Sequence, residues 1–171
     1  MSGTGILVDR LECVLENRKR EAALDALNAL IGRACAMLSP PPSVGERNEG
    51  IPQAVEVALS EPAALRVILT DGDAEEPQTL LGDPPVYDHT QRAIVEMIAL
   101  HPRESARAPA LDAAINAIVA AVAADQTLGG TCDMARAEVP DIGNLDEFGA
   151  PQAKTASLPI TILYTSDSPA G

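Results

Sequence analysis

Aromatic side chains are nearly missing from this chain, which holds two tyrosines, Tyr87 and Tyr164, one phenylalanine, Phe148, and no tryptophan. Stacking platforms for single-stranded nucleic acid are therefore lacking, and a large aromatic-lined ligand pocket is disfavoured. Cysteine is almost as scarce. Cys13, Cys35 and Cys132 are odd in number, widely spaced and form no C-x-x-C. That pattern argues against a disulfide framework and a zinc site, and leaves reduced, partly buried thiols. No apolar run approaches the roughly 20 residues needed to cross a bilayer. The opening MSGTGILVDRLE meets charge too soon for the apolar core of a secretion signal. The expectation is a protein that stays in the compartment that made it.

Signatures of chemistry are missing too. No P-loop, no G-x-G-x-x-G after a strand, no H-E-x-x-H and no G-x-S-x-G occurs. His89 and His101 stand at the two ends of one predicted strand, too far apart to share a ligand. Asp88 beside His89 could form the acid–base half of a nucleophilic triad, but no nucleophile motif accompanies it. Asp71, Asp73 and Glu75 resemble the opening of a calcium loop. The match fails where Glu76 replaces the required Gly and Gly82 the bidentate Glu. Exposed loop carboxylates lack the burial that tunes an acid for catalysis. The expectation is therefore no catalytic group, no cofactor and no metal.

Basic residues are few, and their placement is uneven. The net charge is −13, yet residues 1–47 carry six basic and six acidic side chains, so the excess lies entirely in residues 48–171. An acidic body repels nucleic acid rather than gripping it.

The stretch that organises the chain is Ala108 to Gly130, APALDAAINAIVAAVAADQTLGG. Leu111, Ile115, Ile118 and Val122 recur at steps of four, three and four, with Ala114 and Val119 beside them, which places one apolar face on a helix. Pro109 suits a first helical turn, and Gly129-Gly130 suit the residues just past a helix end. The flanking segments alternate with period two, so the chain is read as one domain of 171 residues: a long helix laid across a sheet built from both halves.

Taken in order, residues 1–38 form an N-terminal helical region. Its apolar stripe shifts from Leu7, Leu11, Val14, Leu15 and Ala22 to Leu24, Leu27, Ile31, Cys35 and Leu38 around the charged run 16–21. Either the helix breaks there or its two halves bury against different things, one of them a neighbouring subunit. Residues 39–50, with Pro40-Pro41-Pro42, are a linker. The body, 51–165, opens with a half-buried strand over Gln53–Leu59, joined as a hairpin to a strand over Leu65–Thr70. An acidic, Pro-rich surface connection follows from Asp71 to Pro85.

Val86 to Leu100 is a long strand, covered on both faces for part of its length. Arg103 to Arg107 is a polar lead-in to the helix. Thr131 to Val139 is a strand, Pro140 to Gln152 an acidic loop, and Lys154 to Thr165 the closing strand. Pro159 should place that strand along a sheet edge. Residues 166–171 form a flexible tail. The fold class expected is α+β, a mixed or mainly antiparallel sheet covered by one long helix, plus the N-terminal helix.

This order of elements, with Ala64-Leu-Arg-Val-Ile-Leu69, Leu111-Asp112-Ala113-Ala114-Ile115, Ala124-Asp125-Gln126-Thr127-Leu128-Gly129-Gly130 and the terminal Ile160 to Thr165, resembles the tail terminator proteins of long-tailed phages, the minor tail protein U type, and related tail-completion proteins of prophages. The resemblance spans roughly residues 5–165. It implies a structural virion protein, not an enzyme. Copies would assemble, as a homo-hexamer in that family, into a ring on the tail tube at the tail–neck junction, ending polymerisation and joining the tail to a neck protein, with assembly in the host cytoplasm.

A negative lumen would let DNA pass without specific binding, and the acidic segments carrying Asp71, Asp73, Glu75, Glu76, Asp141, Asp146 and Glu147 are candidates to line it or to face a partner. A head-to-tail ring also needs two different complementary patches on each subunit. Arg66, Arg92, Arg103, Arg107 and Arg136 are candidate cross-subunit partners for carboxylates, against the alternative that each pairs within its own chain. A head–tail connector is the neighbouring reading. A small hydrolase or transferase built on His89 and Asp88 is the contrasting one.

Overall fold

The structure, a computed structural model, describes residues 18–60, 65–100, 103–144 and 153–170. Among them are helix α1 (Arg18–Ala36), strand β1 (Ser43–Val44), helix α2 (Ile51–Ser60), strands β2 (Leu65–Ala74), β3 (Gln78–Leu80) and β4 (Val86–Leu100), helix α3 (Glu104–Ala124), and strands β5 (Met134–Ala137), β6 (Asp141–Asn144) and β7 (Ala153–Ser166). The strands form one mixed sheet in the order β1-β2-β4-β7-β5, with β3 also on β4 and β6 also on β7. Only β1 runs parallel to its neighbour. The architecture is α+β, as expected, with an N-terminal helix.

Strand periodicity decides what is buried. Val67 and Leu69 of β2, Ala93, Val95, Met97 and Ala99 of β4, and Ala156, Leu158, Ile160 and Ile162 of β7 alternate onto one face. Against that face pack Leu24, Leu27, Ile31 and Cys35 of α1 and Leu111, Ala114, Ile115, Ile118 and Val122 of α3. Both apolar stripes are the ones the sequence spacing picks out. Each fully buried Leu or Ile contributes on the order of 1.5–3 kcal/mol. Val119 sits at the margin of the stripe, 36% exposed. By length and composition α3 is long and apolar enough to cross a membrane, which corrects the expectation that no segment is. One face of this helix packs on the sheet.

Among the described residues, the other face of the sheet is covered at one corner, where Ala54 of α2 meets Ile68 and Ile98. This corrects the first expected hairpin, because residues 53–59 lie in a helix, opened by the Ala54 N–H donating to the Gly50 carbonyl at 2.9 Å. The expectation for β4 holds, since it is covered on both faces where α2 lies over Ile98.

Both ends of α3 also differ from the sequence reading. It begins at Glu104, so residues 104–107 belong to it and Pro109 lies inside the helix. There its ring replaces the N–H that would have met the Ser105 carbonyl. It ends at Ala124, capped by Asp125. Gly129 and Gly130 instead serve the following turn, where Leu128, Gly129 and Gly130 take φ of 49°, 70° and 86° and the Asp125 carboxylate accepts from the Gly129 N–H at 2.9 Å.

Two segments read as loops carry strands. Asp71–Ala74 completes β2 and Gln78–Leu80 forms β3, so β2, β3 and β4 make one long bent hairpin whose tip is residues 81–85. Asp141–Asn144 forms β6 on β7. Pro159 is not on an edge. β7 pairs with β4 along its whole length, and on its other side with β5 and then β6. Its carbonyl accepts from the Glu138 N–H at 2.8 Å, so its ring nitrogen faces the same side, at the seam between β5 and β6 where the β5 ladder ends. Leu7, Leu11, Val14 and Leu15, which carry the first face expected of the N-terminal helix before the change around residues 16–21, lie outside the described residues, as do the Pro62 turn, His101 and the loop residues Asp146 and Glu147.

Candidate functional site

β4 turns His89 toward the helices and Asp88, one residue earlier, toward the opposite face. His89 is buried and Asp88 is exposed. The Asp88–His89 pair considered from the sequence is not formed. Instead His89 lies opposite Tyr164 in the β4–β7 register, the rings stacking with centroids 4.9 Å apart and planes within 5°. Its Nε2 lies 2.9 Å from Ser166 Oγ and 3.0 Å from the Ser168 carbonyl oxygen. A carbonyl only accepts, so Nε2 carries the proton and is a donor to this corner, not a base for the Ser166 hydroxyl. Ser166 in turn donates to the same carbonyl at 2.6 Å. Burial pushes the Tyr164 hydroxyl pKa up, with nearby Arg20 opposing. The cluster fastens the C-terminal residues to the sheet, and Lys19 of α1 adds a bond to the Thr165 carbonyl at 2.7 Å.

The five candidate arginines separate into distinct environments. Arg66 is consumed within its own chain. Its Nε and Nη2 donate to the two carboxylate oxygens of Glu49 at 2.9 and 2.7 Å, and Nη1 donates to Ser43. The side chains of Arg66 and Glu49 are only 9% and 7% exposed, which corrects the reading of Arg66 as a cross-subunit partner. Arg92 lies on the open sheet face, more than half exposed, with Nη2 3.3 Å from Glu138. Thr161 donates to the same carboxylate, and this bond, followed by Arg92, lowers the Glu138 pKa. Arg136 is exposed on the same face. Arg103 stands exposed at the start of α3 and is engaged within the chain. Arg107 lines a cleft of about 320 Å³ with Lys154, Ile142, Gly143 and Asn144.

The acidic candidates divide as well. Asp71 is half-buried in β2, its carboxylate 3.4 Å from Arg47 Nε, and Arg47 reaches on to Glu21 and Asp25 of α1. It ties helix to sheet, and its position in a strand corrects its placement in a loop. The Glu21 hydrogen bond does most to hold the Arg47 pKa above its ordinary value. Asp73, Glu75, Glu76 and Asp141 are exposed. Glu75 and Glu76 join Asp88 and Asp133 around a cleft of about 300 Å³ next to His89 that contains no lysine or arginine. Among the described residues, no group of three His, Cys, Asp or Glu side chains could hold a metal ion.

Sequence reading missed Arg47 and Glu49, which it left inside the linker. The only signal was a charged run, Glu46-Arg-Asn-Glu49, following three prolines. It also missed Leu80 and Leu81, two leucines in an otherwise polar connection, 42% and fully exposed. No protein-family model matches this sequence, and a search of curated proteins finds no match.

Proposed function

We propose that the chain is a structural subunit of a long-tailed phage or phage-like particle, of the tail-terminator type: a ring of copies that caps the tail tube, ends its growth and offers a joint to the neck. The observation that carries this reading is the placement of charge. The exposed hairpin from residue 73 to 88 holds Asp73, Glu75, Glu76, Asp83 and Asp88 with no lysine or arginine, while Arg47 and Arg66 are spent on internal ion pairs. A ring that turned this hairpin toward its bore would present a negative wall, along which a duplex passes without sticking. The long α3 and the paired β4 and β7 give a stiff body from which such a surface can project.

The test is to mix the purified protein with tail tubes of the same particle, image the tube ends and weigh the assembled species. Rings of a single stoichiometry on tube ends, with further tube growth stopped, are expected. Binding to the portal side without the tube would transfer the reading to a head–tail connector. Absence of any ring, or a bore lined by arginine and lysine, overturns it.

A further inference from the structure

We propose that the tip of the β2–β4 hairpin, Leu80 and Leu81, docks into the groove between residues 38–42, which follow α1, and α3 of a second copy of this chain, so that copies join head to tail. The inference rests on the ring reading for its biological setting, but its geometry is this chain's own.

The tip is apolar where a solvated turn has no reason to be. Leu81 is the most exposed large hydrophobic residue described, at 106%, and Leu80 beside it is 42% exposed. At the other end of the same strand pair lies an apolar groove of about 300 Å³, walled by Leu38, the prolines Pro40 to Pro42, Leu65, Pro109 and Ala110. Met37, next to Leu38, is 86% exposed. A cavity this size stands at the small end of ligand pockets and suits a few aliphatic side chains.

Position decides the occupant. Leu65 at the groove pairs with Ala99, while Leu80 at the tip pairs with Val86. Thirteen strand steps along β4 therefore separate the two patches, roughly 40 Å at about 3.3 Å per residue. A hairpin that is part of the sheet cannot fold back over that span, so the tip cannot fill its own groove. Two different patches at opposite ends of one body make a tip-to-groove contact that, propagated from copy to copy, generates a closed ring or an open filament.

Charge agrees. Residues 73–88 around the tip carry five acids and no lysine or arginine, whereas the groove lining holds no charge and the segments flanking it, 33–42 and 103–113, carry Arg33, Arg103 and Arg107 against Glu104 and Asp112, a balance of one positive charge. Approach of the tip to the groove is thus favoured by sign as well as by apolar burial.

The experiment introduces Leu81→Cys and Ala110→Cys in separate full-length chains, mixes them under mild oxidation and maps the disulfides by mass spectrometry. A link between the two introduced thiols, with homodimers of either variant rare, is expected. The full-length double variant should give a ladder of covalent multimers. Independently, Leu81→Asp should weaken self-association in sedimentation velocity by roughly tenfold or more, while its circular dichroism and melting stay those of the parent. Links from native Cys13 to the thiol at position 110 within one chain would make the chain's own first residues the occupant and overturn the proposal. Rings that persist in Leu81→Asp, without the 81–110 link, would overturn it and leave the tail-terminator reading standing. The link found in multimers that ignore tail tubes would uphold it while that reading falls.

Discussion

Replacing Arg66 by Met should cost about 3–5 kcal/mol of folding stability. The guanidinium lies side-on against Glu49, with hydrogen bonds of 2.9 and 2.7 Å, in a site where the two side chains are 9% and 7% exposed. Removing the cation leaves a carboxylate buried without its charge partner, the costly way to break such a pair. An exposed ion pair would contribute at most about 1 kcal/mol, so the magnitude separates the two cases. The double variant Arg66→Met, Glu49→Leu removes both charges and should recover most of the loss. Urea unfolding followed by circular dichroism, with linear extrapolation and a check that the slope is unchanged, measures each corner of the cycle. In melting experiments the single variant should fall by roughly 6–20 °C, at about 2–4 °C per kcal/mol for a chain of this size. A loss under about 1 kcal/mol for Arg66→Met, or a double variant as unstable as the single one, would refute the argument that this pair is desolvated and interdependent.

Further expectations concern the sheet and its titratable groups. Ile160→Ala, at a fully buried site in β7, should cost about 2–5 kcal/mol, whereas Pro159→Val next to it should change stability by less than about 1 kcal/mol because its nitrogen faces the β5–β6 seam; denaturant titration compares them. Carboxyl NMR titration should show Glu138 ionising below the usual 4.5 and returning toward it in Thr161→Val, since the Thr161 hydrogen bond is the first cause of the shift, and in Arg92→Met. Its pKa is lower folded than unfolded, so its contribution to stability is present above pH 4.5 and fades as pH drops through the folded value. Burial pushes the thiols of Cys35 and Cys132 up to about 11. In a Cys13→Ser background a thiol reagent at pH 8 should label the native protein far more slowly than the denatured one. For these two groups the sign is opposite: stability is complete below pH 9 and is lost as pH rises toward 11.

Much of the body was readable in advance because long periodic segments leave little choice. The stripe Leu111, Ile115, Ile118, Val122 and the alternation of Leu158, Ile160, Ile162 and Tyr164 each fit one period and are buried as that period requires. Short segments were ambiguous for the same reason. Over 53–59 the alternation of Val55, Val57 and Leu59 matches a strand, yet Pro52 near the start suits a first helical turn. What decided it was the need to cover Ile68 and Ile98, which lies elsewhere in the chain. The candidate site was less legible. An arginine's partner depends on which distant segment is laid beside it, and Arg66 meets Glu49 only because residues 43–49 run along β2. Exposure was easier to foresee, as Asp73, Glu75 and Glu76 in a Gly- and Pro-punctuated stretch have no apolar neighbours to bury them.

That run along β2 has a further effect. The Gly45 N–H donates to the Val67 carbonyl and the Asn48 N–H to the Leu69 carbonyl, each at 2.8 Å, while the Asn48 side chain accepts from the Asp71 N–H. A Cβ at position 45 would come within 2.8 Å of the Ile68 side chain, so glycine is what lets the segment lie this close. The flank that would otherwise offer naked peptide groups to a passing polypeptide is sealed by a two-residue strand and its glycine. That coverage leaves β2 fewer open peptide groups on which another strand could template.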